Sequence, residues 1–240
     1  MEKQLQEAHR MYHSLKEEVK SWQEKDGIHW IKELRPRSTR PYFPLFDLPE
    51  EPVLELWQRL QSIIGMNVTE ADLRHQWHEF KHGREISDPE TLSNLQLAFG
   101  GVAELARGQL LPEQIQALGL SEESSRCPVC GEEIRLSLLV EPVGKRHLHC
   151  IMCRYEWSTK RVGCVRCGSE NASKQIYLHT EEFPGVEMVV CQDCGQPFKE
   201  IDLRKVSVDD LVWKDVSTLP LNYAAEQWLA ENAKEAGKIQ

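Results

Sequence analysis

All eight cysteines of this chain fall in Cys-x-x-Cys pairs, Cys127/Cys130, Cys150/Cys153, Cys164/Cys167 and Cys191/Cys194, and none is left over. In a cytosolic chain such pairs read as metal ligands before disulfides, because the cellular thiol systems keep sulfur reduced. Two intervening residues let both sulfurs reach one ion while backbone N–H groups point at them. Two pairs then supply four thiolates at tetrahedral corners, about 2.3 Å from zinc, and leave no open position for a reacting water. Soft thiolates suit zinc and iron alike, and a rubredoxin-like iron site uses the same donors. The expected cofactors are therefore two metal ions, zinc or iron, each in a closed site to which hydrolytic chemistry is foreign.

Which pairs share an ion is indicated by an internal repeat. Cys127-Pro-Val-Cys130-Gly131 is followed by Cys150-Ile-Met-Cys153, and Cys164-Val-Arg-Cys167-Gly168 by Cys191-Gln-Asp-Cys194. Each insert carries a β-favouring run ("IRLSLLVE", "KQIYLHTEE"), a Pro/Gly turn and a return run into the next pair ("KRHLHC", "GVEMVVC"). That is the plan of a hairpin that brings a second pair back beside the first. It assigns Cys127, Cys130, Cys150 and Cys153 to one ion, and Cys164, Cys167, Cys191 and Cys194 to the other. Glycine follows the second cysteine at 131, 168 and 195, where a left-handed backbone is expected. A cross-braced arrangement, first pair with third and second with fourth, is the alternative, and it gives the duplicated hairpin no purpose. Free redox thiols are a third reading, but the βαβ context of a thioredoxin-type motif is missing. Each ribbon is too small for a useful core, so metal would supply its folding energy, on the order of 10 kcal/mol per site.

Other chemistry-bearing residues are few. His147 and His149 flank Cys150 and read as surface strand histidines. Lys145, Arg146, Arg154, Lys160, Arg161 and Arg166 face one acid in their own stretch, Glu156, with Tyr155 and Trp157 among them. Such a patch can bind nucleic acid, offset the charge of two tetrathiolate sites or pack the ribbons together. There is no Gly-rich phosphate loop, Gly-x-Ser-x-Gly or His-Glu-x-x-His, and no catalytic constellation is found.

The elements that must position these residues follow from apolar spacing. Leu5, Ala8, Tyr12, Leu15, Val19 and Trp22 draw one stripe down a first helix. It reads as a packing face, with a coiled-coil seam between two copies of the chain as the second reading. "RPRSTRPYFPLF" (35–46) is a proline-rich connector. A second helix from about Pro52 carries Val53, Trp57, Leu60 and Ile64. A third, boxed by Thr69 and Asp72, buries Leu73, Trp77 and Phe80 and stops at Gly83. Ser87 with Glu90 caps a fourth, which opens with Pro89, and a short fifth runs from Pro112 to Gly119. "SEESSR" is a polar hinge into the cysteine region. After Asp202 the chain turns helical again, with a capped stop at Gly237.

The expected class is α+β: a helical amino-terminal domain (1–120), two tandem rubredoxin-like or zinc-ribbon modules (121–162 and 163–205) and a carboxy-terminal helical segment (206–240). The 240 residues carry a formal charge of -9. That argues against a general polyanion binder, whose affinity comes from phosphate neutralisation. No apolar run approaches a membrane helix, and the charged amino terminus lacks the core of a secretory signal, so a cytoplasmic protein without membrane insertion is expected.

The cysteine region resembles one family, the formate dehydrogenase accessory proteins of the FdhE type. The resemblance lies in "CPVCG", in "RHLHCIMCRYEWSTKRVGCVRCGS" with Trp157 and Arg161 between the second and third pairs, in "CQDCGQPFKEID" with Phe198 and Lys199, and in "DVSTLPLN". It covers roughly residues 120 to 235. It implies a cytoplasmic, non-catalytic maturation factor with rubredoxin-like iron or zinc sites. Its implied partner is the catalytic subunit of respiratory formate dehydrogenase. Two other classes stand beside it: a zinc-ribbon module binding nucleic acid or protein, and a redox or sulfur-transfer protein.

Overall fold

The structure, a computed structural model, describes residues 2–84, 86–119 and 125–236. It divides into two compact units. One is Met1–Leu120 with Pro128–Glu132 and Met152–Arg154, and the other is Ser121–Cys127, Glu133–Ile151 and Tyr155–Gln240.

The first unit is helical. α1 (Glu2–Lys25) carries the expected stripe, but only its second half is covered. Leu15, Val19 and Trp22 are buried, whereas Leu5 is 47% exposed. α2 (Glu50–Ile63) buries Val53, Trp57 and Leu60, and Ile64 lies just past its end. The Trp22 and Trp30 indoles both donate to the Glu55 carboxylate of α2, at 3.1 and 3.0 Å. α4 (Pro89–Arg107) packs against α1 and α2 through Gly101. A Cβ there would stand 2.8 Å from both Val19 Cγ1 and Leu56 Cδ2, so only glycine permits the crossing.

α3 (Glu70–Lys81) starts at the Thr69–Asp72 capping box. Leu73 and Trp77 are buried, and Phe80 is only half-buried beside Phe46 at 5.9 Å. The cap of α4 corrects the expectation of a Ser87–Glu90 box. Asp88 is the cap, its carboxylate accepting the Thr91 N–H at 2.8 Å. Pro89 takes the first helical position, where no N–H is needed, and this fixes the cap one residue later than Ser87. α5 runs Pro112–Gly119. The hinge "SEESSR" lies mostly outside the described residues.

The second unit is built on one six-stranded sheet in the order β3-β2-β1-β6-β5-β4. Its strands are β1 (Leu136–Val140), β2 (Lys145–His149), β3 (Glu156–Ser158), β4 (Gln175–Leu178), β5 (Val186–Cys191) and β6 (Pro197–Asp202). The two expected hairpins are β1–β2 and β4–β5. Each copy adds a third antiparallel strand after its second cysteine pair, β3 on β2 and β6 on β5. The two meanders then join through β1 and β6, which pair in parallel from Leu136↔Lys199 to Leu139↔Asp202.

Alternation sorts the sheet into two faces. Leu136, Leu138, Val186, Met188, Val190 and Ile201 line an apolar face closed by Leu221 and Ala225 of α7 (Leu219–Ala236). The other face holds Ser137, Arg146 and Glu200, all buried. The carboxy-terminal segment is two helices. α6 (Leu211–Ser217) is capped by Asp210, which accepts from the N–H groups of Val212 and Trp213. It ends at Thr218, and Pro220 sits in the first turn of α7, where its missing N–H costs nothing. The expected stop at Gly237 lies outside the described residues.

Candidate metal centres

The sulfurs of Cys127, Cys130, Cys150 and Cys153 all lie within 4.8 Å of one another, and so do those of Cys164, Cys167, Cys191 and Cys194. None of the eight forms a disulfide. The geometry can be tested against a tetrathiolate shell. Bonds of about 2.3 Å at tetrahedral angles put sulfurs about 3.8 Å apart. Cys164 and Cys194 are separated by 3.8 Å, and Cys167 and Cys191 by 3.9 Å. Each cluster could therefore hold one metal ion. The sulfurs are not interleaved between clusters, which removes the cross-braced alternative.

The knuckles that place these sulfurs repeat one backbone plan. The N–H of the first cysteine donates to the carbonyl five residues on, in Cys150→Tyr155, Cys164→Ser169 and Cys191→Gln196, at 2.9, 2.8 and 3.3 Å. The glycine after the second cysteine closes the turn. Gly168 donates to Cys164 O and Gly195 to Cys191 O, at 2.9 and 2.8 Å. Gly131, Gly168 and Gly195 have φ of 80, 76 and 67°, as the spacing leads one to expect. The remaining knuckle, Cys150–Cys153, is followed by no glycine, and Arg154 adopts the same backbone at φ 60°.

The electrostatics of the second cluster suit a cation. Burial pushes the thiols of Cys164 and Cys194 up. Against the same desolvation, the Cys194 N–H and the Gln175 amide, 3.4 Å from the sulfur, bring Cys191 down to about 7. The Arg166 N–H points at Cys164 Sγ from 3.3 Å. Clustered sulfurs resist ionising together, and a divalent ion would replace the protons that otherwise keep them apart.

The surroundings hold features that the sequence reading missed. The 35–46 segment, expected as a connector, is structural cover for the first knuckle. The N–H groups of Tyr42, Phe43 and Leu45 donate to the carbonyls of Pro128, Val129 and Cys130 at 3.4, 2.7 and 3.2 Å. Tyr42, Phe43 and Leu45 are themselves buried. Their apolar alternation with proline was the available signal.

His149 is buried rather than on the surface, because Nδ1 meets the Glu156 carboxylate at 2.8 Å across β2–β3. The basic stretch finds its acids at a distance. Arg146 Nε bonds Glu200 at 2.8 Å, Lys160 bonds Glu170 at 2.7 Å and Arg166 bonds Glu133 at 2.8 Å. Tyr155 stacks on the buried Trp157 at 5.5 Å. Arg146, Lys160 and Arg166 are thus each paired with an acid outside their own stretch.

No family model matches the chain. It is 32% identical over 106 residues to an FdhE homologue from Aquifex aeolicus, covering 42% of this chain and 37% of that protein. To FdhE of Escherichia coli it is 32% identical over 122 residues, 49% of this chain and 38% of that protein. An FdhE homologue from Edwardsiella ictaluri is 34% identical over 120 residues, 49% and 38%. The chain thus matches less than two-fifths of the length of these relatives. The crystal structure of FdhE from Pseudomonas aeruginosa has the same fold, with a TM-score of 0.61 at 20% identity over 90% of this chain and 75% of that one. Among the described residues no helix is long and apolar enough to cross a membrane. Over part of its sequence, and in its fold, the chain is thus similar to FdhE proteins.

Proposed function

We propose that the chain is a metal-binding accessory factor in the maturation of respiratory formate dehydrogenase, acting in the cytoplasm on the catalytic subunit and doing no catalysis of its own. The observation that carries this reading is the pair of four-cysteine clusters on an FdhE-like fold. Cys127, Cys130, Cys150 and Cys153 would hold one ion, and Cys164, Cys167, Cys191 and Cys194 the other. The ions would supply the folding energy that short ribbons lack, on the order of 10 kcal/mol per site. Four sulfurs complete each shell, so the ribbons would serve as rigid binding surfaces rather than as hydrolytic centres.

The residues around the clusters support that role. Arg146 links the two meanders by holding Glu200 of β6 and the carbonyl of Gly163, the residue before Cys164, at 2.8 and 2.9 Å. Lys199 ties β6 to α6 through Asp215 at 2.6 Å. Ribbon surfaces fixed in this way could grip an enzyme subunit during assembly. The test is co-purification under anaerobic conditions with a tagged formate dehydrogenase catalytic subunit. Retention of the chain is expected, and its loss with the metal-loaded protein would end the client assignment.

A further inference from the structure

The two clusters differ in how they are covered. Cys127, Cys130, Cys150 and Cys153 are all buried, whereas Cys167 is exposed and Cys194 half-exposed. The cause is local. The first knuckle is roofed by the backbone bonds from Tyr42, Phe43 and Leu45, and a Cβ at Gly131 would meet Pro41 Cγ at 3.2 Å. At the second cluster, Gly168, Gln192, Asp193 and Gly195 are exposed, and a Cβ at Gly168 or Gly195 would meet no atom within 4 Å.

A cleft of about 330 Å³ opens beside it, lined by Thr159, Lys160, Val162, Gly163, Cys164 and Cys167 among others. Its cations are spoken for. Lys160 is held by Glu170, Arg166 by Glu133 and Arg146 by Glu200. What the cleft offers an incoming molecule is therefore sulfur, not charge for an anion.

We propose that the second cluster is the exchangeable site, where metal enters, leaves or passes to a soft sulfur or nitrogen donor through this cleft, while the first is a permanent clamp. The inference rests on the metal-binding reading above. Cys167 is the sulfur that opens first. It yields its bond to the ion to the incoming donor and stands as a solvated thiolate, with no electron transferred. A buried site exchanges only through local opening of its cover, which slows it by about tenfold or more.

The test uses the full chain purified with zinc. Zinc is counted first, then released to excess chromogenic pyridyl-azo chelator, and a parallel sample is alkylated briefly with iodoacetamide and mapped by peptide mass. Two ions leaving in equal phases, at least about tenfold apart, with Cys167 and Cys194 modified first, is the expected result. Release of both ions at one rate, or first modification at Cys130 or Cys153, overturns the inference and leaves the metal reading standing. Fewer than two ions per chain overturns both.

Discussion

Arg146 offers the sharpest test of how the two meanders are held together. Its guanidinium is 1% exposed and lies 5.6 Å over the Phe198 ring. Nε donates to Glu200 at 2.8 Å and Nη1 to Gly163 O at 2.9 Å, and Ser137 Oγ donates to the same Glu200 oxygen at 3.1 Å. Arg146→Met keeps the bulk of the side chain but leaves the Glu200 carboxylate buried without its cation. Breaking one side of a buried pair costs about 3–5 kcal/mol.

Replacing both partners, Arg146→Met with Glu200→Met, removes the stranded charge. Gly163 O then loses its partner, at about 1–3 kcal/mol, while Ser137 Oγ keeps its bond to the Lys199 carbonyl at 3.5 Å. The two substitutions should therefore be coupled by about 2 kcal/mol or more, with the double variant more stable than Arg146→Met alone. Equilibrium guanidinium unfolding of a metal-loaded chain that keeps Trp157 as its one tryptophan, the other six replaced by Phe in parent and variants alike, reads the difference as a shift in the fluorescence midpoint. A single variant within about 1 kcal/mol of the parent, or a double variant equal to the sum of its parts, would refute the argument that this pair links the ribbons.

Three further outcomes are expected. Phe43→Ala opens the cover over the first knuckle and costs about 3–5 kcal/mol, and chelator competition should show its slow zinc phase accelerating while the fast phase stays unchanged. Gly168→Ala meets open space and suffers only left-handed strain of about 1–2 kcal/mol, whereas Gly131→Ala adds the clash with Pro41 and should fall further in thermal unfolding. The Arg204 guanidinium, bonded at 2.7 and 2.8 Å, holds the Asp202 carboxyl below the usual carboxylate range. Its contribution is therefore present above the unfolded carboxylate pKa and is lost as pH falls through the lower folded value. The stability gap between the parent and Asp202→Asn should close on acidification below about pH 4, and a gap that widens there would contradict the pairing.

The cluster assignments were legible because a repeat with matching turns leaves one natural partner for each cysteine pair, and the backbone at Gly131, Gly168 and Gly195 was legible from residue type alone. Arg154 was not, since a left-handed arginine has no compositional mark. The parallel join of β1 to β6 also escaped. Alternation within "IRLSLLVE" states which residues share a face, but not which strand lies alongside. The acids that hold Arg146, Lys160 and Arg166 stand 54, 10 and 33 residues away along the chain. Counting charges within the basic stretch alone therefore made it look uncompensated. Pro44 disguised the 42–45 segment as a connector, although it is the outward N–H groups of that segment that roof the first knuckle.

The central claim is that two separate four-sulfur sites exist, each within its own repeat. The most direct measurement is metal content and X-ray absorption on a Cys130→Ser, Cys153→Ser double variant. One ion per chain, with four sulfurs at about 2.3 Å, is the expected result, because the second site keeps all its donors. Loss of both ions, or a remaining ion with oxygen among its ligands, would mean that the two repeats share their cysteines and would contradict the account.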